Sequence, residues 1–135
     1  MIVDENLPRG IIANTTAALG ISLASQESGL VGKQLKDKDG RTHEAITNVA
    51  IPILSLGSDE IKSLYDNLKD DLKDNRENAI RVIGFNDVAQ KSHHYDDYEI
   101  KLMQSPKEEI GYLGLCLYGP KKKVNKLTGS MKMLR

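Results

Sequence analysis

A chain of 135 residues, 39% hydrophobic and 28% charged, has the size and balance of one globular domain built on one core. Nineteen acidic against nineteen basic side chains give zero formal net charge, which excludes a nucleic-acid binder that works by overall positive charge. A single cysteine, Cys116, excludes an internal disulfide and a cysteine-rich metal centre and fits a reducing cytoplasm.

Ile2 and Val3, followed by an acidic pair and Leu7-Pro8-Arg9-Gly10, read as a strand feeding a loop. From residue 11 the spacing Ile11, Thr15, Leu19, Leu23 marks one face of a helix whose other positions are unusually small, so close packing is expected. Residues 17–25 resemble a signal-peptide core, but Asp4, Glu5 and Pro8 stand where a basic leader belongs, so this is mature helix. No apolar run approaches the roughly 20 residues of a membrane span. No membrane association is expected.

Asp39-Gly40 predicts a tight turn between residues 33–38 and 41–46. Residues 47–56, rich in β-branched types, predict a largely buried strand, with Pro52 placing it at an edge or a bend. Ser58 is the expected cap of a helix with Asp59 and Glu60 in its first turn and Ile61, Leu64, Tyr65, Leu68 and Leu72 on its apolar face. Residues 79–85 predict a further strand, followed by a helix with Tyr95, Tyr98 and Leu102 on one side. Ser105, Pro106 and Glu108 have the spacing of a capping box. Residues 112–118 read as a buried strand, Gly119-Pro120 as the opening of a helix stopped by Gly129, and residues 131–134 as a last strand. The order of elements makes an α/β layer protein.

The closing run, Gly119-Pro120, then Val124-Asn125-Lys126-Leu127-Thr128-Gly129, then Met131-Lys132-Met133-Leu134, resembles the end of the type 2 peptidyl-tRNA hydrolases. The opening from Val3 to Ala18 is similar to that family's first strand, glycine loop and alanine-rich helix. The chain resembles still more closely an uncharacterised bacterial family, domain of unknown function family 2000. The resemblance implies a single domain over residues 1–135 with a three-layer α/β/α fold, a mixed β-sheet, and no cofactor. Position by position it also implies a depleted active site. The hydrolases' lysine falls at Arg9, their histidine at Ala17 and their threonine at Gly114, while Asp87 is the nearest counterpart of their aspartate.

Arginine holds anions but does not exchange protons near neutral pH. Arg9-Gly10 before a helix is therefore either an anion site, with Asn14 facing it, or a plain helix entry. Asn125 and Thr128 are either ligand-binding or capping residues. Lys121, Lys122, Lys123, Lys126 and Lys132 form a run that could meet phosphates, although solvated lysines on an exposed helix are the simpler reading. His93, His94, Asp96 and Asp97 are metal-ligand types, but adjacent helical residues diverge by about 100°; no metal site is expected. Cys116, between two leucines, reads as packing. Three functions follow. The first is binding of a small anionic or nucleotide-like ligand, or a tRNA end, through Arg9, Gly10, Asn14, Asn125 and Thr128. The second is hydrolysis or transfer of an acyl ester or amide with Asp87 as base. The third is an interaction module, including a homodimer.

Overall fold

The computed structural model describes residues 1–71 and 80–135. In chain order the elements are β1 (Ile2–Asp4), α1 (Arg9–Gln26), β2 (Leu35–Lys36), β3 (Thr42–His43), β4 (Leu54–Leu56), α2 (Ser58–Asp71), β5 (Arg81–Asn86), α3 (Asp87–Gln90), α4 (Tyr95–Met103), a 3-10 turn (Lys107–Glu109), β6 (Tyr112–Tyr118), α5 (Lys121–Thr128) and β7 (Lys132–Met133). Five strands form one mixed sheet in the order β5-β6-β1-β4-β7. Only β1 and β4 pair in parallel; every other neighbour is antiparallel. The expected α/β class with a mixed sheet is what the chain adopts.

Period-two alternation divides the core cleanly. Ile2, Val82 and Leu115 point to one face, where Ile61 and Leu68 of α2 cover them. Met1, Ile83, Phe85 and Cys116 point to the other, beneath Leu19 and Leu23 of α1. The helical face read from Ile11, Thr15, Leu19 and Leu23 is correct at its last three positions, all buried. The close approach of α1 to the sheet comes from the strand side, at Gly114 of β6, whereas Ala13, Ala17 and Ala24 of α1 are exposed. A Cβ placed on Gly114 would lie 2.8 Å from the Ile2 carbonyl oxygen and 2.8 Å from Thr15 Cγ2.

Four local expectations are corrected. The strand expected over 47–56 exists only as β4, since Pro52 has no N–H for a ladder and Thr47 and Asn48 bond instead to the 30–31 segment. Nor is β4 an edge strand, because β1 and β7 flank it. Helix α2 takes its first backbone bond at Gly57, whose N–H is accepted by the Glu60 carboxylate at 3.1 Å, so the cap sits one residue before Ser58. Ser105 caps nothing downstream; its hydroxyl donates to the Lys101 carbonyl at the end of α4, and Pro106 starts the 3-10 turn. Leu72 and Ala79 lie outside the described residues. The Asp39-Gly40 turn is present, with Gly40 at φ 82° between β2 and β3.

Two substitutions test the close packing of α1. Gly114→Ala should cost about 1–3 kcal/mol in urea unfolding, because the Ile2 carbonyl cannot move without disturbing β1. Thr15 is fully buried and its hydroxyl has no hydrogen-bond partner among the described residues. The nearly isosteric Thr15→Val should therefore leave stability unchanged or raise it by about 1 kcal/mol, and a clear loss would mean that the hydroxyl has a partner.

Candidate functional site

Strands β1 and β4 run parallel side by side, yet their following helices leave to opposite faces of the sheet. At this switch point a crevice starts past the carboxyl end of β1 and runs along β4 and β7 on the α1 face of the sheet. Here it is a cleft of about 1090 Å³. Its floor is the buried Ser55 of β4. One wall is the β1–α1 loop with Arg9, Ile12 and Ala13 of α1; the other is the final segment from Lys132 to Arg135.

The loop is shaped by the buried Asp4 at the end of β1. Its carboxylate accepts the Asn6 N–H at 3.0 Å and the Asn6 side-chain amide at 3.2 Å, turning the chain toward α1. Pro8 occupies the cap position of α1 and offers no capping side chain, and the first turn contains no acid. The positive end of the helix is thus left uncompensated by its own sequence. Arg9, Lys132 and Arg135 all line the cleft, and among the described residues none of them has an ion-pair partner. Glu5 is the one acidic side chain in the lining.

Of the residues singled out in the sequence, Arg9 and Lys132 line this cleft. Gly10 is an ordinary helical residue with open space where a Cβ would stand, and it does not line the cleft. Asn14 reaches sideways and donates to Gln90 Oε1 of α3 at 3.1 Å. Asn125 and Thr128 border a separate cavity at the opposite end of the sheet, with Thr128 Oγ1 donating to the Val124 carbonyl at 2.9 Å. Lys132 belongs to the lysine run; Ser55 and Arg135 are additions from the structure. The missing signal was the pairing of Ser55 with Lys132 in β4–β7, which joins segments far apart in sequence.

Asp87 follows β5, and β5 is parallel to β1, so it lies at the same end of the sheet as Arg9. Both its oxygens are engaged. Oδ1 accepts the Gly111 N–H at 3.0 Å and Oδ2 pairs with Lys91 at 2.8 Å, while its own N–H donates to the Gly111 carbonyl. Partial burial pushes its carboxyl upward, but Lys91 and the Gly111 N–H together outweigh that and hold it below the usual carboxylate value. The pairs tie the 111 segment to the end of β5. Among the described residues no cluster of histidine, cysteine and acidic side chains is arranged to hold a metal ion, and no helix is long and apolar enough to cross a membrane.

These elements define a mixed-sheet α/β protein with a crevice at the switch point between β1 and β4. The whole chain, residues 1–135, matches the family described as "Protein of unknown function (DUF2000)", and the chain belongs to that family. A solved structure of the Agrobacterium tumefaciens protein of unknown function Atu0240 is similar in fold, with a TM-score of 0.80 and 16% sequence identity over 98% of this chain and 93% of that one. Among curated proteins no relative matches.

The Asp87 clamp gives a pH signature. A depressed folded-state pKa contributes stability that is complete above the unfolded aspartate value, about 3.9, and disappears as pH falls through the lower folded value. Asp87→Asn should cost about 1 kcal/mol at neutral pH and flatten the acid limb of a stability-against-pH curve recorded by thermal melting. An unchanged acid limb would show that the clamp does not contribute.

Proposed function

We propose that this protein binds a small anionic, nucleotide-like ligand in the switch-point cleft, on a scaffold related to the type 2 peptidyl-tRNA hydrolases. The observation that carries this reading is the convergence of Arg9, Lys132 and Arg135, all without ion-pair partners among the described residues, beside the uncapped start of α1. A guanidinium offers a planar fork that matches phosphate or carboxylate oxygens, and free helical N–H groups add donors of the same sign. Ile12, Leu7 and Met133 supply apolar surface for a base or ring. The cleft is large enough for a ligand of that class.

Hydrolysis of an acyl ester receives less support. It requires a base of sufficient proton affinity, and Lys91 and the Gly111 N–H, one on each Asp87 oxygen, hold that carboxyl below its ordinary value and make it a weaker base. At the position matching the hydrolases' threonine, Gly114 leaves no space for a hydroxyl-bearing side chain.

Calorimetric titration with inorganic pyrophosphate and with a nucleoside monophosphate tests the binding. Arg9→Ala and Lys132→Ala should each weaken the bound anion by about tenfold, and raising salt should weaken it further. Affinity unchanged in Arg9→Ala would reject the cleft as the site. Turnover of peptidyl-tRNA that is lost in Asp87→Asn would reinstate the hydrolase reading.

A further inference from the structure

At the amino ends of β1 and β4, opposite the cationic cleft, lies a second cavity of about 400 Å³, within the range that encloses small organic ligands. Its interior is apolar. Leu23, Leu30, Leu54 and Cys116 form the inner wall, and Val49 and Ile51 close it from the 47–53 segment. Those two residues are about 40% exposed, at 40% and 39%, although their sequence reads as buried strand. Instead of joining the sheet, the segment is held over the cavity. Asn48 N–H donates to the Leu30 carbonyl, its side-chain amide donates to the Gly29 carbonyl, and the Pro52 carbonyl accepts from the Met1 amine at 2.8 Å.

The polar groups of the lining are arranged along one face of α5. Lys121, Asn125 and Thr128, at helical spacing, run beside the cavity, and Lys121 is exposed at its rim. Among the described residues no acidic side chain is in the lining, and Lys121 is its one charged side chain. Helix α5 begins without a side-chain cap, with Pro120 in the cap position and no acid in its first turn. Two titratable groups report the character of the interior. Burial pushes the Cys116 thiol up and the Met1 amine down, each toward its neutral form, as an apolar surrounding requires. The neutral thiol leaves the cavity without an anion of its own.

From this geometry we infer that the cavity binds a linear aliphatic carboxylate of the fatty-acid class, its chain among Leu23, Leu30, Val49 and Ile51 and its carboxylate at Lys121 and the start of α5. The apolar volume selects the chain and the one-sided positive rim selects the head. This site is separate from the Arg9 cleft and needs none of its residues.

A dansyl-labelled fatty acid titrated into the full chain should give saturable fluorescence, reversed by decanoate. Decanol, which has the same tail without the charge, should compete about tenfold less well. Ala50→Trp, on the exposed side of the cavity, should abolish the signal while pyrophosphate binding and the circular dichroism spectrum stay unchanged. Lys121→Glu should weaken decanoate severalfold and leave decanol unaffected, while Arg9→Ala should alter neither. Absence of saturable binding by the wild-type chain up to about 1 mM overturns the proposal. So does full binding in folded Ala50→Trp, or equal competition by decanoate and decanol.

Discussion

The contact at Gly114 governs where everything else on its face of the sheet can stand. Because position 114 has no side chain, Thr15 and Val3 occupy the space a Cβ would take, and α1 settles directly on β1 and β6. The helix then extends from one end of the domain to the other. Its first turns bring Arg9, Ile12 and Ala13 to the switch-point cleft, and Leu23, near its last turns, reaches the apolar cavity. Both concave surfaces of interest are therefore bordered by one helix, and a shift of α1 away from the sheet would reshape both.

The same packing fixes what positions 114 and 17 could carry. A threonine at position 114 would require the Ile2 carbonyl to retreat from the strand pairing that defines β1, or Thr15 to leave the core. Ala17 is exposed on α1, so a histidine there would meet water before it met the core.

Local chemistry made much of the fold legible in the sequence. The period of Thr15, Leu19 and Leu23, the continuous apolar run along residues 112–118, and the Asp39-Gly40 turn each depend on neighbours close in sequence, and each appears where its pattern predicts. Residues 47–53 were misleading for a physical reason. Val49 and Ile51 have strand chemistry, but Pro52 cannot donate to a ladder and Thr47 and Asn48 pair with the 30–31 segment, so their apolar side chains line a cavity instead. The candidate site was legible only in part, because its walls come from segments more than a hundred residues apart. Arg9 could be picked out from the glycine loop, but its meeting with Lys132 and Arg135 depends on β7 docking against β4.

Charge decides which of the singled-out residues remain available to a ligand. Asp87, Asp97 and Asp37 all hold partners within 3.0 Å, and those partners keep each carboxyl below its ordinary value. Their charge is consumed in local structure, fixing the 111 segment, the start of α4 and the β2–β3 turn. The cations of the cleft are in the opposite condition, exposed and unpaired among the described residues. In a chain whose formal charges sum to zero, such a separation leaves a local positive field without a global one. A field of that kind attracts a small anion to one crevice and gives an extended polyanion little to follow, which favours a compact ligand over a length of nucleic acid.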